Sequence, residues 1–272
     1  MKKILALLAL GLASLSSLHA GNVQLGLQTW TCNKMTFDQV VDFAVKHHIT
    51  QLQFIDSQFD PKATKEETLR KKAILDAKGL ACYTFGVSKT SLKPEENRKL
   101  FEFAKLVGAK VIVVEPKDIA EWDSLEALVK EFDLKLAIHN HGKGTTYGDP
   151  ATVLGILAKR DKRIGACLDV GWVTAAGFDA AKVFRDYGDR VYDIHFKDKK
   201  IEKAADGKDV ILDVALGTGA ANYAGLFAEI KKSNWSGVMA IETDNRTFQN
   251  DPNQMVTEGQ SYFTAMMAKT GQ

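Results

Sequence analysis

Cysteine is scarce in this sequence. Three occur in 272 residues: Cys32, Cys82 and Cys167. Their spacings match no zinc motif, and an odd number makes a poor disulfide framework. Cys82 and Cys167 sit inside apolar runs, where a free thiol behaves as a small buried hydrophobe. An excess of charge is missing too. Lys and Arg number 36, Asp and Glu 34. Residues 1–20 carry Lys2, Lys3 and no acid, so the rest of the chain holds 34 of each sign and a net charge of zero. Nothing in that balance attracts a phosphate backbone, which counts against a nucleic-acid partner. No linker rich in Pro or Ser divides the chain, and no Gly-x-Gly-x-x-Gly follows the first strand. The first absence argues for one domain, the second against an open dinucleotide-binding sheet.

What is present begins with an export signal. Lys2 and Lys3 form a basic start, Ile4 to Leu15 an apolar run, and Ser16 to Ala20 a small and polar end suited to cleavage after Ala20. The run is too short for a membrane span, and no Cys at the cleavage point suggests a lipid anchor. The expected product is exported, periplasmic or extracellular, and comprises residues 21–272. Its 45% hydrophobic and 26% charged residues allow a sizeable core.

Strand and helix patterns then alternate eight times, at about 25 to 30 residues per unit. Strands are expected at Val23–Thr29, Gln51–Ile55, Leu80–Phe85, Val111–Val114, Leu136–His139, Ile164–Asp169, Val191–Phe196 and Val238–Glu242. Helices follow each, among them Phe37–His48 behind a Thr36 cap and one opened by Pro94. The fourth is expected to start at Asp123 or Ser124, the last to run from Gln254 to Ala268. Asp198–Leu216 reads as one long charged loop on the active face. Eight such units at this length point to an α/β protein built as a single (β/α)8 TIM barrel. Trp122 and Trp235 read as packing residues.

In such a barrel the carboxyl ends of all strands meet at one rim. His139, Asp169, His195 and Glu242 end strands five, six, seven and eight, which are neighbours. Singly each is a weak signal. Together, two imidazoles and two carboxylates can converge on one divalent metal, with Mn²⁺, Co²⁺, Zn²⁺ or Fe²⁺ suited better than Ca²⁺. Such an ion would polarise a carbonyl or a pair of hydroxyls. Gln28, Trp30 and Gln53 near strands one and two, Glu115 at the end of strand four, and Trp172 are candidates to contact substrate. His141 and Lys197 join His139 and Glu242 as candidate proton carriers.

Ile-His-Asn-His-Gly, Cys-Leu-Asp-Val-Gly, Asp-Ile-His-Phe-Lys-Asp and Ala-Ile-Glu-Thr resemble the motifs of the xylose isomerase-like barrel superfamily. The resemblance spans about Gln24 to Lys269. It includes sugar epimerases, hydroxypyruvate isomerases, inosose dehydratases and type-IV endonucleases. It implies metal ligands Glu, Asp, His and Glu on strands five to eight. Asp169, His195 and Glu242 match three of these, and His139 stands where the family has Glu. His141 matches the His closing that motif. Trp172 replaces a family His, and Lys197 is the basic group nearest to a missing Arg. Loss of the paired glutamates suits one proton abstraction beside a carbonyl followed by loss of a β-substituent. The exported His-Asn-His-Gly form is similar to proteins tied to 3-keto-glycoside breakdown. The expectation is a metal-dependent 3-keto-glycoside lyase or sugar isomerase/epimerase with a small-molecule carbohydrate substrate. A non-catalytic carbohydrate-binding barrel is the alternative; an endonuclease is disfavoured by charge, by export and by the lack of further zinc ligands. The sequence does not fix the oligomeric state and leaves assembly into an oligomer open.

Overall fold

The computed structural model describes residues 21–271. The export signal expected over residues 1–20 lies outside the described residues. Seven strands follow in order: β1 Val23–Gln28, β2 Gln51–Phe54, β3 Ala81–Ser88, β4 Val111–Val114, β5 Lys135–His139, β6 Ile164–Asp169 and β7 Val191–Phe196. A hairpin of β8 Asp198–Lys203 and β9 Asp209–Val214 comes next, then β10 Gly237–Ile241. β1 to β7 and β10 pair in parallel and close a barrel, with β10 between β7 and β1.

The crossovers are helical, as parallel pairing requires. They are α1 Phe37–Lys46, α2 Lys65–Ala77, α3 Pro94–Val107, α4 Glu121–Phe132, α5 Pro150–Leu157, α6 Val170–Ala175, α7 Ala180–Tyr187, α8 Tyr223–Ser233, α9 Arg246–Asn250 and α10 Asn253–Thr270. α1 starts where Thr36 and Gln39 exchange side-chain and backbone bonds in a capping box. α3 begins at Pro94 and stops at Gly108, whose φ of 84° takes the left-handed turn out of the helix. α4 starts before the expected Asp123, because the Glu121 carboxylate gathers the Lys117 and Asp118 N–H groups and closes the turn from within the helix. Among the described residues no helix is long and apolar enough to cross a membrane.

Alternation along each strand sorts the side chains. Ile138, Leu168, Ile194, Phe196 and Ile241 point outward into the core shared with the helices. There Phe196 lies against Tyr223, Phe227, Tyr262 and Phe263. A buried phenyl of this kind is worth about 1.5–3 kcal/mol, so the outer layer carries the fold. The opposite parity faces the barrel axis, with Val113, Ala137 and Cys167 near its middle. His139 pairs with Cys167 and Asp169 with His195 across neighbouring strands. The parity that buries the outer core therefore turns the rim histidines and carboxylates inward. All three cysteines are buried and free, and Trp122 and Trp235 are buried packing residues.

The connection after β7 differs from the expected loop. It is the antiparallel hairpin β8–β9, with Ile201 opposite Ile211 and Gly207 in its turn. The charges that suggested a loop pair across the strands, Lys199 with Asp213 and Lys203 with Asp209. Asp198 fastens the base of the hairpin to the barrel. Its carboxylate accepts the backbone N–H groups of Gly217, Gly219 and Ala221 at 2.9–3.1 Å.

Candidate metal centre

His139, Asp169, His195 and Glu242 converge at the carboxyl ends of β5, β6, β7 and β10. One donor atom from each lies within 4.8 Å of the others, and all four residues are buried. In each, one polar atom lacks a hydrogen bond: His139 Nε2, Asp169 Oδ2, His195 Nδ1 and Glu242 Oε2. These atoms face one another and the Lys197 ammonium, with His195 Nδ1 2.7 Å from Glu242 Oε2, an arrangement that a shared cation would satisfy more fully. Two nitrogens and two carboxylate oxygens fit a divalent cation.

The remaining atoms of these side chains are fixed from behind. His139 Nδ1 bonds Glu115 Oε1. His195 Nε2 stands 3.0 Å from Gln53 Oε1. The Gln53 amide nitrogen is spent on the Gly86 carbonyl, so its oxygen accepts and His195 Nε2 carries the proton. Gly86 has φ of 131°, and a Cβ there would meet the Val113 carbonyl at 2.3 Å, so only glycine fits. Asp169 Oδ1 accepts the Trp172 N–H at 2.8 Å and so caps α6. Asn140 holds the Asp169 backbone from both sides, donating to its carbonyl and accepting from its N–H.

Lys197 is buried beside the cluster. Its Nζ lies 3.2 Å from Asp169 Oδ2, 3.2 Å from Glu242 Oε2 and 3.0 Å from Asp244 Oδ2. Burial favours the neutral amine, but Asp169, Glu242 and Asp244 overcome it and hold the ammonium form well above its ordinary range. Lys197 was expected among the proton carriers; so paired, it offers no free amine to act as a base. Burial likewise tends to raise the Asp169 and Glu242 carboxyls. Lys197 first, then the two histidines at Asp169 and His195 at Glu242, bring both below their usual values. Burial would lower His139 and His195, yet the surrounding acids raise both. At Glu115, burial is outweighed by hydrogen bonds from His139 and His141, and the carboxyl falls to about 2.

The structure places the other sequence-derived candidates unequally. Glu115, expected to touch substrate, instead holds His139, with His141 Nδ1 3.4 Å away. Gln28 and Gln53, expected to line a sugar pocket, are only 1% and 0% exposed. Both donate to the Gly86 carbonyl, and Gln28 also accepts the Trp30 N–H. Their amides are spent on the Gly86 carbonyl, the Trp30 N–H and His195, so they support the site from behind. Trp30 is on the rim, 41% exposed, with its indole N–H on Asp244 Oδ1. Trp172 stacks edge-on to His141 at 4.8 Å, and Lys199 Nζ lies 3.6 Å from its ring centroid. His141 is the exposed imidazole of the group, its side chain 42% accessible.

Sequence reasoning missed Asn140, Lys199, Asp213 and Asp244. Asn140 was visible between the two histidines. Asp244 follows Glu242 by two residues and shares its parity, which could have found it. Lys199 and Asp213 meet only through the hairpin and left no local signal.

The model of the xylose isomerase-like TIM barrel family matches residues 41–266. The inosose dehydratase of Clostridium perfringens strain 13 is 25% identical over 292 aligned positions, covering 89% of this chain and 96% of its own. A solved D-tagatose 3-epimerase-like protein superposes with a TM-score of 0.72 at 14% identity, over 91% of this chain and 98% of that one. The IolI protein, solved with a zinc atom bound, gives 0.70 at 13% identity, over 91% and 99%. At that identity the two structures carry the fold alone.

Proposed function

Since the chain belongs to the xylose isomerase-like TIM barrel family, we propose that it is a metal-dependent enzyme that removes a proton beside the carbonyl of a keto-sugar. The observation that carries this is the convergence of four buried donor atoms beside an exposed imidazole. His139, Asp169, His195 and Glu242 would hold the ion, whose chemistry is Lewis-acid polarisation of the substrate carbonyl. His141 takes the proton, and Glu115 beside it stabilises the imidazolium that forms. Trp30 and Trp172 offer aromatic faces to sugar C–H groups.

The preferred outcome is β-elimination, with a 3-keto-glycoside as substrate. The C–H pair becomes a carbon–carbon double bond, and the aglycone leaves with its bonding electrons and collects a proton. A relative named as a dehydratase, which expels water, supports an elimination. Isomerisation or epimerisation begins with the same abstraction and is the second reading. A binding barrel without chemistry is less well supported, because His139 keeps the donor set at four.

Proton NMR in D₂O tests these readings on protein loaded with Mn²⁺ or Co²⁺ and cleared of free ion. Aglycone release from a 3-keto-glycoside, abolished by chelator, is the expected result. Deuterium entering a ketose without cleavage would favour the isomerase. No exchange with any substrate would leave the binder, and His195→Ala would then keep ligand binding intact. Export is part of the proposal, and the mature protein should begin at Gly21. Cell fractionation with N-terminal sequencing checks it.

A further inference from the structure

Lys197 Nζ contacts Asp169 Oδ2 and Glu242 Oε2, the two carboxylate atoms of the four-donor group, each at 3.2 Å. We propose that Lys197 is a built-in competitor for the divalent cation: its ammonium, hydrogen-bonded to Asp244 at 3.0 Å, also leans on these two oxygens and keeps only the Asp244 contact when a cation enters. This rests on the reading of the cluster as a metal centre.

Three features of the molecule support the exchange. The lysine is committed to the site. It is 1% exposed, and its stem runs over Gly171, where a Cβ would meet Cγ at 2.8 Å and Cδ at 3.0 Å. Glycine at 171 therefore leaves room for this stem.

A second seat is already built. Asp244 Oδ2 lies 3.0 Å from Nζ and is outside the four-donor group. Asp244 is held independently by Trp30 Nε1 on Oδ1, by Lys199 at 3.3 Å and through its backbone N–H by Asp213. It can keep the ammonium when the other two contacts are lost.

Charge makes sharing unfavourable. Two carboxylates balance one divalent ion, and an ammonium on the same oxygens is a repelling neighbour. In its absence the ammonium joins the two histidines in balancing the buried carboxylates, which are costly to leave under-compensated. Lys197 thus sets the cation affinity of the cluster below that of the bare donors.

The test uses the whole chain, stripped by chelator and dialysed, then titrated with Mn²⁺ or Zn²⁺ against a fluorescent chelator. Lys197→Met should bind each ion at least about tenfold more tightly than the unmodified protein. When stripped it should melt at a lower temperature, and gain more on adding metal. Asp244→Asn should bind more weakly, because the ammonium is thrown onto Asp169 and Glu242. In the Lys197→Met background, Asp244→Asn should have little further effect. Equal or weaker binding by Lys197→Met overturns the proposal, as does an unchanged affinity in Asp244→Asn should the lysine variant fail to fold. Absence of binding by the unmodified protein and every variant overturns the metal-centre reading itself.

Discussion

Glu115 and His139 share a hydrogen bond through Nδ1, which turns Nε2 of the same ring toward Asp169 Oδ2 at 3.4 Å. The carboxylate comes from the end of β4 and the imidazole from the end of β5. Their pairing fixes both the ring orientation and the tautomer that a ligating histidine needs. Glu115→Ala should therefore weaken divalent-metal binding by about 10- to 100-fold without removing a donor atom. Competition titration against a chelator of known affinity measures this. An unchanged affinity would show that packing alone orients His139.

Gln53 does the same for His195 from β2. Gln53→Leu leaves the His195 Nε2–H buried without an acceptor, at a cost of about 1–3 kcal/mol. The expected result is a lower denaturant midpoint with an unchanged slope, together with weaker metal binding. A midpoint equal to that of the parent would mean that another group accepts this proton.

Metal binding should rise with pH across the neutral range. Burial would lower His139 and His195, but surrounding acids raise both above the ordinary imidazole value and so favour the protonated rings. A cation must displace protons from Nε2 of one and Nδ1 of the other, and acid opposes it. The sign for stability is the same linkage: a raised imidazole stabilises the metal-free fold below its unfolded value and loses that contribution as pH climbs through the folded one. Calorimetric titration in buffers of different ionisation enthalpy counts the protons released, and zero release would refute this.

Glu115 works on the acid side. Its carboxyl is brought down to about 2 from an unfolded value of 4.5. The stability that it contributes is present above the unfolded value and lost as pH falls toward about 2. Glu115→Gln should flatten the acid limb of a melting-temperature profile in that window. Parallel acid limbs for the two proteins would count against it.

Asp198→Ala removes an anchor rather than a ligand. Four backbone N–H groups, those of Lys199, Gly217, Gly219 and Ala221, lose a charged acceptor, and each such bond is worth about 1.5–3 kcal/mol. The expected readout is faster amide exchange across residues 198–221 and a global loss of at least about 2 kcal/mol. Exchange confined to the hairpin turn would mean that the β8–β9 ladder holds itself.

The sequence by itself determined the barrel, because eight short strand-like runs with helical patterns between them admit few other closed arrangements. It also determined the four rim donors, since strand ends converge once the barrel is drawn. Local chemistry marked the Thr36 cap, the Pro94 start and the Gly108 stop. Tertiary structure alone decided the partners of those donors. Glu115 meets His139, Gln53 meets His195 and Asp244 meets Lys197 across 24, 142 and 47 residues of chain. Such contacts depend on barrel closure and register, to which local pattern is blind. The hairpin was hidden for a related reason: its charges look like a solvated loop until pairing sets Lys199 beside Asp213. Side-chain identity chose the chemistry at each strand end, and closure of the sheet chose which charges would share it.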